Sequence, residues 1–134
     1  IDPLGEADAP AFDIGMEQEA RLRAVSGLAD RGTVPPIDVM LGGQMQPYVW
    51  TIDGKTWGEH LPISVRSGDR IELRFHNMSM MGHPMHLHGH ALYVPPMTMA
   101  TIAVDAGEAA RWMLHCHHMP HLSTGMMTEF VVTA

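Results

Sequence analysis

Arg70–Phe75 (RIELRF) alternates strictly, with Ile71, Leu73 and Phe75 on one side and charged residues on the other. A period of two puts every second side chain on the same face of an extended strand, so this run demands a sheet with one dry face. Similar runs recur at short intervals. Ile37–Leu41 alternates weakly, and Tyr48–Ile52 (YVWTI) is rich in β-formers before the turn pair Asp53-Gly54. Ile63–Val65 leads into Ser67-Gly68-Asp69, Thr98–Val104 is joined to Ala110–Leu114 by Asp105-Ala106-Gly107-Glu108, and Thr128–Val132 is the last strand. Short strands at regular intervals with turn signals predict an all-β sandwich or Greek-key barrel over residues 37–134. No internal repeat is visible. Residues 1–36 differ: Met16–Asp30 is made of good helix formers, Pro35-Pro36 closes the segment, and the whole reads as a linker or N-terminal extension.

With 134 residues, 46% of them hydrophobic and 17% charged, the chain is long enough for one domain with a real core. No apolar run approaches the length of a membrane span, and no stretch reads as a signal peptide. A formal charge of −7 argues against a nucleic-acid partner and suits a soluble protein that handles cations. Ten His and thirteen Met accompany a single cysteine, Cys116, which excludes an internal disulfide. Thioethers suit soft Cu(I), so the composition leans towards copper before any motif is read.

Eight of the ten histidines fall into two groups, HPMHLHGH (residues 83–90) and HCHHMPH (residues 115–121), the second built around the cysteine and followed by Gly125-Met126. Extended geometry sends His115 and His117 to one face and Cys116 to the other, while His86 and His88 share a face. If the two segments pair as neighbours, four imidazoles lie on one side and a thiolate on the other. That makes two metal sites back to back, joined through the backbone beside Cys116. On the thiolate side, Cys116, His121 and Met126 come from one loop and His83 from the earlier motif. Two imidazoles, a thiolate and a weak axial thioether are the ligand set of a blue-copper electron-transfer site. Zinc also takes Cys and His, but structural zinc wants more thiolates and gives Met126 no part.

These two motifs closely resemble the C-terminal copper motifs of multicopper oxidases, the laccase-like enzymes. MQPYVWTIDGKTWGEH (residues 45–60) and NMSMMGHPMHLHG (residues 77–89) look most like the bacterial periplasmic copper-resistance oxidases. The resemblance runs from about Ile37 to the end and implies a cupredoxin-like Greek-key β-sandwich. It implies that His83, Cys116, His121 and Met126 bind type 1 copper, and that His86, His88, His115 and His117 are this domain's share of a type 2/type 3 trinuclear copper cluster. A reducing substrate, Cu(I) or a phenol, would give electrons to type 1 copper. They would pass through Cys116 and His115 or His117 to the cluster, where O2 becomes water. A periplasmic or secreted location follows from the same likeness.

Two departures from the family stand out. The partner domain or subunit must bring two further His-x-His pairs, which this chain lacks. The stretch from His90 to the strand at Thr98 is also short, by about a hairpin, which leaves a deletion, missing residues or a natural variant as explanations. Two other readings stay open: an isolated type 1 electron carrier without oxidase activity, and a copper store. Of the remaining histidines, His60 reads as a surface residue, His76 as structural at a strand end, His90 as sharing the parity of His86 and His88, and His118 as facing away from His117. Met78, Met80 and Met81 read first as core, with Cu(I) guidance as the second reading.

Overall fold

The structure is a computed structural model, and it describes residues 35–87 and 89–134. The helix expected over Met16–Asp30, and the extension 1–36 apart from Pro35 and Pro36, lie outside the described residues. Nine strands follow: β1 Ile37–Met45, β2 Tyr48–Ile52, β3 Ile63–Arg66, β4 Arg70–Asn77, β5 His83–Leu87, β6 His90–Val94, β7 Met99–Asp105, β8 Ala110–Cys116 and β9 Met127–Thr133. They form a four-stranded sheet in the order β2-β1-β4-β7 and a five-stranded sheet in the order β3-β9-β8-β5-β6. The β-sandwich expected from the alternation is what the chain builds.

The alternation in β4 decides how the sheets meet. Ile71, Leu73 and Phe75 are buried while Glu72, Arg74 and His76 stay part-exposed. Phe130 and Val132 of β9 and Leu114 of β8 are buried from the other sheet. Each such side chain contributes roughly 1.5–3 kcal/mol by leaving water. At one end of the four-stranded sheet β4 is tied to β7 by Arg70, which donates to both carboxylate oxygens of Asp105 at 2.7 and 2.9 Å. The forked guanidinium matches the carboxylate, so the pair satisfies a buried cation at a strand end.

The 83–94 segment is a hairpin, with β5 pairing β6 as His83↔Val94 through Leu87↔His90. No separate strand was expected between His90 and Thr98. Gly89, at φ 80, lies in the turn, and β6 then supplies the edge strand of the five-stranded sheet. Even with the short connection, the sheet is completed.

A buried asparagine pins the end of β4 to this hairpin. Asn77 donates through Nδ2 to the carbonyls of Met81 (2.7 Å), Pro95 (2.9 Å) and Val94 (3.2 Å). Its Oδ1 accepts from the Ser79 amide at 3.0 Å and the Ser79 hydroxyl at 2.7 Å. Acceptors around one end and donors around the other fix which way the amide points.

Candidate metal centre

β5 and β8 are antiparallel neighbours, and their register sets Met85 opposite Cys116, His86 opposite His115, and Leu87 opposite Leu114. His83, Met85 and Leu87 are buried on the inner side of β5, as Leu114 and Cys116 are on β8. His86 and His115 stand on the outer side. The Cys116 thiol and the imidazoles of His86 and His115 thus lie on opposite sides of one sheet.

Inside, three donor atoms converge. Cys116 Sγ lies 3.7 Å from His83 Nδ1 and 3.7 Å from His121 Nδ1, and the two nitrogens stand 3.1 Å apart. All three residues are buried and form a group able to hold a metal ion. The point equidistant from the corners of that triangle is about 2.0 Å from each, the length of a metal–imidazole bond and slightly short for a thiolate. A trigonal His2Cys set of this size suits copper. His121 Nε2 is buried with no hydrogen-bond partner among the described residues, so the ring's burial is compensated only through Nδ1.

The loop after β8 delivers His121 and Met126. Met119–Ser123 forms a short helix, α1, with Pro120 in its first turn, and it turns His121 inward. Met126 is fully buried; its amide donates to the His121 carbonyl and its carbonyl accepts from the Cys116 amide, both at 3.1 Å. Gly125, at φ +131, makes the bend between them against Thr56 and the Trp50 carbonyl. Trp50 packs on the His121 ring at 4.2 Å and edge-on to His83 at 5.2 Å, walling the site with apolar surface.

Burial decides the protonation here. It pushes His83 down to about 4, helped by the neighbouring His121 and His118, and His121 down to about 4, helped by His118. Both rings are thus neutral near pH 7, with lone pairs to offer. Burial also pushes the Cys116 thiol up, so a thiolate needs a cation beside it. Ser79 Oγ stands 2.9 Å from His83 Nε2 and 2.7 Å from Asn77 Oδ1. Its single proton goes to the asparagine oxygen, so it accepts from His83 Nε2–H and leaves the Nδ1 lone pair facing the cysteine.

Outside, His86 Nδ1 and His115 Nε2 are 3.3 Å apart. His115 Nδ1 donates to the Cys116 carbonyl at 3.0 Å, which leaves the lone pair on Nε2, facing His86 Nδ1. The His117 ring lies 5.9 Å from that of His115 and 6.0 Å from that of His86, on an exposed turn. The His117 amide donates to the Pro84 carbonyl at 2.6 Å, stitching the loop to β5. His88 lies outside the described residues.

Several sequence readings change. His90 does not share a face with His86: the turn at Gly89 reverses the chain, and His90 pairs with inward-facing Leu87. His60 is half-buried, stacked on Trp57 at 4.1 Å and 3.0 Å from Glu129 Oε2. His118 packs edge-on to His121 at 4.3 Å. Met78, Met80 and Met81 are exposed instead of core, and with Met45 and Trp50 they line a shallow hollow of about 350 Å³ beside Ser79. Trp50, Asn77 and Ser79 were not anticipated as site residues.

The multicopper oxidase family profile matches residues 31–97 and 91–134, two stretches that overlap at 91–97. The chain is 31% identical to multicopper oxidase MmcO of Mycobacterium tuberculosis, over 96% of this chain and 29% of that protein. It is 31% identical to copper resistance protein A of Escherichia coli, over 69% of this chain and 18% of that protein. The crystal structure of the McoA multicopper oxidase of Aquifex aeolicus superposes with a TM-score of 0.71 at 26% identity, covering 84% of this chain and 32% of that one. The chain thus spans less than a third of the length of these relatives.

Proposed function

The chain belongs to the multicopper oxidase family, with copper as its cofactor and a cupredoxin domain of the C-terminal kind, and from that premise we propose that residues 37–134 serve an oxidase, with 1–36 as the lead-in. The proposed activity is oxidation of a reducing substrate, Cu(I) or a phenol, coupled to four-electron reduction of O2 to water. The observation that carries it is the His83–Cys116–His121 triangle set back to back with His86 and His115 on the same two strands. Bound copper supplies one-electron transfer at the inner site and oxygen reduction at the outer one.

The chain's own residues have defined parts in this reading. His83, Cys116, His121 and Met126 hold the inner ion, and the Trp50 wall keeps water from it. His86, His88, His115 and His117 form half of the outer cluster. Cys116 and His115 are joined twice, by the peptide bond and by the His115 Nδ1–H bond to the Cys116 carbonyl. That gives the shortest bonded route between the faces, with His117 the parallel branch. The methionine-lined hollow beside Ser79 supports a soft reductant, because Ser79 bonds directly to the His83 ring. A second cupredoxin domain or subunit with two His-x-His pairs completes the cluster. A periplasmic or secreted setting belongs to the same reading. Among the described residues, no helix is long and apolar enough to cross a membrane.

Counting copper per chain beside a visible spectrum tests the inner site. The loaded protein is expected to be blue, and Cys116→Ser to abolish the colour while leaving other copper bound; an intact blue band in that variant refutes the assignment. Oxygen uptake with a phenol or Cu(I) separates this reading from an isolated electron carrier. Turnover is expected only with the completing partner, and rapid four-electron turnover by a proven monomer would mean that the ligand set has been misjudged.

A further inference from the structure

Nine of the thirteen methionines are exposed among the described residues, a poor use of a side chain whose ordinary value is core filling. Exposed methionines scattered singly need no explanation. Besides the four around the Ser79 hollow, two more are not scattered. On the outer face of the four-stranded sheet, β1 pairs β4 with Met40 opposite His76, and β4 pairs β7 with His76 opposite Met99. Alternation places all three side chains on one face, since Val39, Leu41, Phe75 and Asn77 beside them point inward and are buried. Directly opposed residues have Cβ atoms roughly 4.5–5.5 Å apart, so two thioethers flank one imidazole within easy reach. Met40 is 40% exposed and Met99 57%.

The imidazole is held for donation. His76 Nε2 lies 2.7 Å from Asp38 Oδ1. Asp38 also accepts two bonds from Arg74, at 2.9 and 3.2 Å, and Arg74 first, then His76, hold its carboxyl below the usual range. An ionised carboxylate only accepts, so His76 Nε2 carries the proton and Nδ1 carries the lone pair. Among the described residues nothing bonds to that Nδ1. A carboxylate on the far nitrogen is the usual support of a metal-binding histidine.

We propose that Met40, His76 and Met99 form a surface site for a soft monovalent cation, Cu(I) or Ag(I), with Asp38 as the residue that positions the ring. Two thioethers and a neutral imidazole are soft donors with no charged ligand among them, which disfavours Mg²⁺, Ca²⁺ and Zn²⁺. The site is separate from the thiolate centre and from the histidines of β5 and β8, being built on the solvent face of the opposite sheet. It does not rest on the oxidase reading.

The test is a titration of the copper-loaded, blue chain with Ag(I), followed by NMR of methyl-labelled methionine and the histidine rings. Met40, Met99 and His76 signals are expected to move together and saturate at one equivalent, with the blue band unchanged. Asp38→Asn is expected to weaken this binding about 10–100-fold, and Met40→Leu or Met99→Leu at least tenfold. Shifts confined to Met45, Met78, Met80 and Met81 overturn the proposal, as does an unchanged His76 response in the Met40→Leu, Met99→Leu double variant. The wild-type spectrum decides even if a variant folds poorly.

Discussion

Replacing Asn77 with Ala removes the clamp between β4, the Ser79 turn and the end of β6. The side chain is 1% exposed and meets five polar atoms. Nδ2 has two protons for three carbonyls, so the two shorter bonds, to Met81 and Pro95, carry most of the interaction. Alanine leaves the Pro95 carbonyl and the Ser79 amide without a partner, at a net of about 1 kcal/mol each, and leaves the Met81 carbonyl to the longer 3.1 Å bond from the Ser79 hydroxyl. The Ser79 hydroxyl loses its best acceptor as well. A water entering the void limits the total, which comes to about 2–3 kcal/mol, a large part of the 5–15 kcal/mol typical of a domain. That corresponds to a fall in melting temperature of roughly 8–24 °C for a domain of about 100 residues. Urea unfolding of the metal-free chain is the assay, because bound copper would mask part of the loss by stabilising the native state. The midpoint is expected to drop by about 1–3 M with an unchanged slope. Asn77→Asp is expected to be worse, since it turns a carboxylate oxygen on two carbonyl oxygens. A loss below about 1 kcal/mol for Asn77→Ala would refute the clamp.

Met126→Leu is expected to keep copper and colour while raising the reduction potential by voltammetry, because a weak axial thioether tunes the ion more than it holds it; loss of the metal would shift the role to Met127. Gly125→Ala adds a Cβ 2.7 Å from Thr56 Cβ and 2.8 Å from the Trp50 carbonyl at φ +131. It is expected to lower stability by about 2–4 kcal/mol, and a melt within about 2 °C of the parent would contradict this. The His60–Glu129 pair predicts a pH window. Glu129 first and the Trp57 carbonyl second raise His60 above its ordinary 6.5, so that contribution is full below 6.5 and fades as pH rises through the raised value. His60 first and Arg111 second lower Glu129 below 4.5, so its contribution holds above 4.5 and fades as pH falls through the lowered value. The stability deficit of His60→Gln by urea midpoint is therefore expected to be widest between 4.5 and 6.5. A deficit that stays flat from about pH 5 to 8 would remove the pair from the account.

What was legible in the sequence was what backbone periodicity dictates. The dry face of β4, and the opposite sides taken by Cys116 and His115, follow from a period of two and needed no tertiary information. What was not legible depended on where the chain reverses. His90 was misplaced because even spacing from His86 holds only along one strand, and a turn at Gly89 intervenes. β6 was missed because its five residues carry a weak pattern next to a turn and prolines. Asn77 and Ser79 act through single side-chain bonds to backbone groups, which leave no periodic trace. Met78, Met80 and Met81 were read as core from the ordinary preference of thioethers for burial, whereas they sit exposed in the loop between β4 and β5, outside any strand parity.

The back-to-back placement on β5 and β8 also limits which length changes this chain can survive. His83 and His86 are separated by three positions, and Cys116 and His115 by one, so each pair straddles the sheet on an odd offset. Gaining one residue inside either pair, or losing one between His83 and His86, would send an imidazole into the aliphatic interior or the thiol to the surface. Only changes of two would keep both occupants on their sides, and those would break the opposition of His86 and His115. Drift in length is therefore confined to places where the faces need not be remembered, such as the run from Val94 to Met99.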